Sequence, residues 1–146
     1  MRSSDGATAE GKANAMTWPA LFGVFLLCHL VGDFLVQTDW QASHKEHGFG
    51  ANRGSRRALA LHGFTYTLVF VPAFVWVAGT AGPLATVGVA ALVGVPHVIV
   101  DDGGFVSAWV RRVKHVQGPP TTVVHVGVDQ TFHLLALAAV ALAVTG

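Results

Sequence analysis

Four stretches of this chain are apolar nearly all round, and short polar stretches separate them. The first runs from Trp18 to about Gln37 (WPALFGVFLLCHLVGDFLVQ) and the second from about Ala58 to Ala78. The third runs from about Leu84 to Val100, with Trp109 as its outer limit, and the fourth from about Thr121 to Val144. Each approaches the roughly 20 apolar residues that cross the hydrocarbon core of a bilayer. None has the broad polar face of a helix on the surface of a soluble domain. The pattern predicts an all-α, polytopic membrane protein, a four-transmembrane-helix bundle over residues 16–146. Residues 1–15 (MRSSDGATAEGKANA) are small and polar without apolar periodicity, and read as a disordered tail. The first apolar run contains a charged residue and no small-residue cleavage site follows it, so it reads as a retained helix.

Composition agrees. Only 12% of the 146 residues are charged, 52% are hydrophobic, and mean hydropathy is +0.53. A soluble domain carries roughly 25% charge, and four apolar helices account for the deficit. A formal net charge of +1 gives no reason to expect a nucleic-acid partner. The single cysteine, Cys28, excludes an internal disulfide and reads as a packing residue. No Walker motif, nucleophile elbow, HExxH or CxxC pair occurs.

Basic residues set the topology. Lys45, Arg53, Arg56 and Arg57 lie in the first connection, and Arg111, Arg112 and Lys114 in the third. The second, residues 78–83, has no charge. Cytoplasmic loops are rich in Lys and Arg, so connections one and three are expected inside and both termini outside. The basic clusters would also touch anionic lipid. Trp18, Trp40, Trp76 and Trp109 fall near predicted helix ends, as interfacial anchors do.

Within this topology the intramembrane polar residues fall at one depth. Helix one carries His29 and Asp33 in its inner half, and helix two opens with His62. Helix three closes with His97 and Asp101, and helix four carries His125, Asp129 and His133 in its first half. At about 1.5 Å per residue, all lie roughly 5 to 20 Å from the cytoplasmic helix ends. The pairs His29/Asp33, His97/Asp101, His125/Asp129 and Asp129/His133 are each four apart, so each shares a helix face. Gln37 extends the first stripe, and Tyr66 shares a face with His62. Asp102 is turned about 100° from Asp101 and is the less inward of the two. Pro96 is expected to bend helix three beside the site, and Pro72 to bend helix two.

An Asp near the centre of a membrane helix costs about 3 kcal/mol, less toward the interface. No Lys or Arg lies within the predicted helices to offset that cost. The remaining partners are protonated His, protons on the carboxylates, or a bound cation. A divalent ion (zinc, manganese, iron or nickel) would satisfy carboxylates and neutral imidazoles together. The candidate ligands are His29, Asp33, His62, His97, Asp101, Asp129 and His133. They exceed one tetrahedral shell, and suit two ions or one ion with outer carboxylates orienting the imidazoles. Asp33 and Asp129 are the preferred catalytic carboxylates. CHLVGDF in helix one and PHVIVDD in helix three both read His-x-x-x-Asp, a faint internal repeat.

At HLVGDFLVQTDW (His29 to Trp40) the sequence resembles a family of small bacterial and phage integral membrane proteins catalogued as a domain of unknown function. The family pattern is H-x-x-x-D-F-x-x-Q-T-D, a downstream Lys, a His opening the second helix, H-x-x-x-D ending the third, and D-Q-x-x-H in the fourth. This chain matches with His29, Asp33, Phe34, Gln37, Thr38 and Asp39, then Lys45 and His62. His97, Asp101, Asp129, Gln130 and His133 complete the match, while His125 falls outside it. The resemblance covers about Leu21 to the C-terminus. It implies a multi-pass protein of the bacterial cytoplasmic (inner) membrane, surrounded by lipid, and it implies no activity.

Three functional readings stand at this level. A metal in the bundle would activate water, making the protein an intramembrane hydrolase of a lipid-linked or phosphate ester. A His/Asp relay would make it a small transporter or proton-coupled carrier subunit, which with four helices needs a homodimer. Interhelical His–Asp pairs, worth roughly 1 kcal/mol each, would make it a non-catalytic scaffold.

Overall fold

The computed structural model describes residues 16–119 and 121–146, so the tail expected at residues 1–15 lies outside it. Among the described residues the protein is all-α, with no strand. Helix α1 (Trp18–Leu30) runs directly into a π-helical segment (Val31–Val36). A short α2 (Asp39–His44) comes next, then α3 (Arg53–Val69) and α4 (Val71–Ala81). The chain continues through α5 (Pro83–Asp101), α6 (Gly104–Val113) and α7 (Thr122–Thr145).

Three units are long and apolar enough to cross a membrane: Trp18–Val36, Pro83–Asp101 and Thr122–Thr145. The first two hold 19 residues each, about 29 Å of helix, against a hydrocarbon core of about 30 Å. Helices α3 and α4 qualify only as a pair, bent by 53° at Phe70. The bend has a covalent cause: Pro72, in the first turn of α4, has no N–H to continue the hydrogen bonding of α3. Pro96 acts differently, since α5 continues through it without interruption.

Helix α5 stops at Asp101 rather than running toward Trp109. Gly103 adopts φ +75°, a left-handed turn that suits glycine, and α6 starts afresh beyond it. Helix α6 is amphipathic: Val106 and Val110 are buried, and Arg111 and Arg112 are exposed. Helix α2 is also unforeseen by apolar length. It is fixed by a reciprocal cap between Thr38 and Gln41, a signal of side-chain chemistry rather than hydropathy.

Two apolar clusters bracket a polar layer. The larger includes Phe25 of α1, Tyr66 and Phe70 of α3, Val93 of α5 and Leu137 of α7. The smaller joins Val100, Val106 and Val110 to Val124, Val128 and Phe132. Each buried His is four residues from a member of the large cluster: Phe25/His29, His62/Tyr66, Val93/His97 and His133/Leu137. One helical turn therefore carries each core helix from apolar packing to the polar layer, on the same face.

Candidate metal centre

The π-helical segment places the first carboxylate. A π turn adds a residue and rotates the rest of the helix beyond it, and Asp33 lies inside this one, buried. Gly32, just before it, lets the Tyr66 ring come close: a Cβ there would stand 2.7 Å from Tyr66 Cδ2. The Tyr66 ring in turn lies flat on His97, centroids 3.4 Å apart and planes within 7°. His97 and Asp101, one turn apart near the end of α5, are both 2% exposed.

Asp33, His97, Asp101 and His133 each bring a ligand-type atom within 4.8 Å of the others, and all four are buried. His62 adjoins them. Its Nε2 is 2.8 Å from Asp101 Oδ2, 3.4 Å from Asp33 Oδ1 and 3.0 Å from His97 Nε2. His97 Nε2 is 3.1 Å from Asp101 Oδ2 and 3.7 Å from Asp33 Oδ1. His133 Nε2 approaches Asp101 Oδ1 at 3.6 Å. Metal bonds of about 2.0–2.2 Å separate neighbouring ligand atoms by about 3.0–3.5 Å, the same scale as these spacings.

Several of these atoms are close without being bonded. Asp33 Oδ1, His97 Nδ1, Asp101 Oδ2 and His133 Nε2 are buried and have no hydrogen-bond partner. A buried polar atom without a partner costs about 1–3 kcal/mol, so four in one layer need an explanation, and a cation among the Oδ and Nε2 atoms accounts for three of them. His133 is the clearest case. Its Nδ1–H donates to the Asp129 carbonyl oxygen at 3.0 Å, which leaves Nε2 as a bare lone pair facing Asp101.

The other expected residues take different places. His29 is fully buried but committed: Tyr66 Oη donates to its Nδ1 at 3.2 Å, and its Nε2–H donates to Gln130 Oε1 at 3.0 Å. Gln130 passes the constraint on, donating from its amide to Asp129 Oδ2 at 3.2 Å. Asp129 itself stands at the rim, its side chain 20% exposed. His125 lies at the surface end of α7, its Nε2 3.5 Å from Ser107 Oγ. Asp102 turns away from the layer and accepts from the Phe49 N–H at 2.8 Å, tying down the loop after α2.

One partner of the carboxylates comes from outside the helices that carry them. Lys45, at the end of α2, extends its ammonium to 2.9 Å from Asp101 Oδ1. This contact corrects the expectation that only His, protons or a metal could offset the carboxylates. A lysine beyond the apolar helices can reach inward because its flexible four-carbon stem carries the charge past apolar surface. Gln37, in the amide orientation that gives both ends a partner, accepts from Lys45 Nζ at 2.9 Å and donates to the Asp33 carbonyl oxygen at 3.2 Å. A cleft of about 220 Å³ opens onto this layer, reaching Asp33, Gln37, Lys45, Asp101, Asp129 and Gln130.

The fold and this layer define a class: a helical protein with apolar helices long enough to cross a membrane and a buried His/Asp group that can hold a metal ion. Within that class the chain belongs to the family described as Protein of unknown function (DUF3307), whose model matches residues 21–146. No curated protein and no solved structure matches it.

Proposed function

We propose that this is a four-span protein of the bacterial cytoplasmic membrane, with both termini outside, that binds a divalent metal and uses it to hydrolyse an ester. One observation carries the metal. Donor atoms of Asp33, His62, His97, Asp101 and His133 converge at coordination-like spacings while Asp33 Oδ1, Asp101 Oδ2 and His133 Nε2 lack hydrogen-bond partners. Two carboxylates with imidazoles suit zinc, manganese or iron. A metal so held would supply a Lewis acid and a water of lowered pKa. Asp129, held by Gln130 at the rim and outside the group of four, would be the general base beside it.

The alternatives fare less well on physical grounds. A carrier needs a polar path across the bilayer, and here Phe25, Tyr66 and Phe70 close the layer on one side. A purely structural network would leave few buried acceptors unmet, since interhelical glue works through bonds that are made.

Metal content of detergent-purified protein, after loading with zinc or manganese and desalting, tests the reading. About one ion per chain is expected, and its absence for every divalent metal tried would sink it. Topology is tested separately. Alkaline phosphatase fused after Gly146 should be active in a bacterial host, and the same reporter inserted at Arg57 or Lys114 should be inactive.

A further inference from the structure

The cleft that reaches the metal-ligand layer is acidic. Its lining carries four carboxylates, Asp33, Glu46, Asp101 and Asp129, against one ammonium, Lys45. With neutral imidazoles the formal charge is −3, and a bound divalent ion raises it only to −1. Such a cleft draws cations in and turns anions away whether the site is filled or not. A second observation points to the same ligand. Asp33 and Asp101 line the cleft with side chains only 5% and 1% exposed, and Asp33 Oδ1 and Asp101 Oδ2 have no hydrogen-bond partner.

The cleft continues outward. A neighbouring cavity of about 400 Å³ is lined by Glu46, Ser107, Thr122, His125 and Val126, and three of these, Glu46, His125 and Val126, also line the cleft. Helix α7 traces the path inward from Thr122, exposed in its first turn. His125, Asp129 and His133 follow at four-residue steps on one face, and Leu137 of the large apolar cluster closes that face one turn later.

Glu46 stands where the two cavities meet, exposed, and the fold holds it there. The residues on either side of it are tied to the end of α5. Lys45 Nζ reaches Asp101 Oδ1 at 2.9 Å, and the His47 N–H donates to the Asp102 carbonyl oxygen at 2.7 Å. The Glu46 stem lies over Gly103, its Cγ 3.3 Å from where a Cβ would stand. Among the described residues Glu46 forms no ion pair.

Resting on the metal reading above, we propose that this path is the entrance by which the divalent ion reaches its ligands from water, and that Glu46 is the carboxylate that steers it in. The ion meets Glu46 and Asp129 first, then the oxygens of Asp33 and Asp101, and then the imidazoles of His97 and His133. Glu46 lies outside the ligand group, so it acts on the rate of arrival.

The test uses the full chain, stripped of metal, in a neutral detergent. Cobalt(II) is the probe, and its visible absorption on coordination is followed by stopped flow, with a chelator chase for dissociation. At an ionic strength of roughly 0.01 M, Glu46→Gln should slow association about threefold and Glu46→Lys about tenfold, the scale of a unit charge acting on a divalent ion through water. Both differences should nearly vanish at roughly 0.5 M salt, where charges are screened within a few ångströms. Stoichiometry and dissociation rate should stay as in the parent. Val126→Trp, where the cavities join, should slow association and dissociation by the same factor and leave Kd unchanged, because an entrance is crossed in both directions. Parent-like association of Glu46→Lys at low salt, or parent-like rates in Val126→Trp, would overturn this inference and leave the metal reading standing. A Glu46→Gln effect that persists at high salt, or that falls on dissociation alone, would overturn the steering role. Parent protein that takes up neither cobalt, zinc nor manganese would overturn the metal reading, and this one with it.

Discussion

His62 and His97 point their Nε2 atoms at each other across 3.0 Å, from neighbouring helices, with Asp101 Oδ2 within 3.1 Å of both. Two neutral imidazoles can share one proton across such a gap, but then one nitrogen is spent and Asp101 Oδ2 stays unpartnered, as it is here. A cation between the three atoms satisfies all of them at once. The protein should therefore be stabilised by metal as a ligand stabilises any native state. At a free concentration about a hundredfold above Kd the gain is about 2.7 kcal/mol. Thermal unfolding in detergent should show a higher Tm with zinc or manganese than with chelator. Asp101→Asn should abolish the difference, and a metal-induced shift that survives in that variant would place the ion elsewhere.

Tyr66 meets His29 through its hydroxyl and His97 through its ring. Tyr66→Phe keeps the stack and deletes the hydroxyl, leaving buried His29 Nδ1 without a donor. The expected cost is about 1–3 kcal/mol, seen as a lower Tm with metal stoichiometry retained. A loss of metal without loss of stability would mean that His29, rather than bracing the layer, is itself a ligand.

The close approach at Gly32 makes a second prediction about the same ring. Tyr66 has no free direction to retreat, because His97 lies against its face at 3.4 Å. An Ala Cβ 2.7 Å from Tyr66 Cδ2 must push the ring into the ligand layer. Gly32→Ala should destabilise the protein by about 1–3 kcal/mol and weaken metal binding. Gly23→Ala, where an added Cβ meets nothing within 4 Å, is the control and should change neither.

These residues also show what the sequence discloses and what it hides. The long helices were legible because apolar length is a one-dimensional signal. The His/Asp layer was legible because i,i+4 spacing puts His97 with Asp101 on one face whatever packs against them. The break at Gly103 and the separate α6 were not, since a left-handed turn and an amphipathic helix add little to a hydropathy profile. The split of roles among the polar residues was also hidden. His29 and His133 look alike in the sequence. Yet His29 spends both nitrogens on Tyr66 and Gln130, while His133 spends only Nδ1. Lys45 was visible as a loop charge and as the lysine of the family pattern, and its reach to Asp101 supplies the physical link to the site.

Asp101 and Asp129 are both carboxylates at the cleft, and their surroundings predict opposite consequences of the same substitution. Asp101 is 2% exposed and touches His62, His97 and Lys45 at 3.1 Å or less. Asp129 sits at the mouth, outside the group of four, and its side chain accepts from Gln130. Asp101→Asn removes a ligand and replaces it with an amide whose nitrogen faces imidazole or ammonium, so metal should be lost and stability should fall by about 3 kcal/mol or more. Asp129→Asn keeps size and leaves the ligand atoms in place, so metal stoichiometry and Tm should match the parent closely. The two variants are compared by metal analysis and thermal unfolding on the same preparations. If Asp129→Asn also empties the site, Asp129 is a ligand and cannot be the base that takes the proton from the metal-bound water.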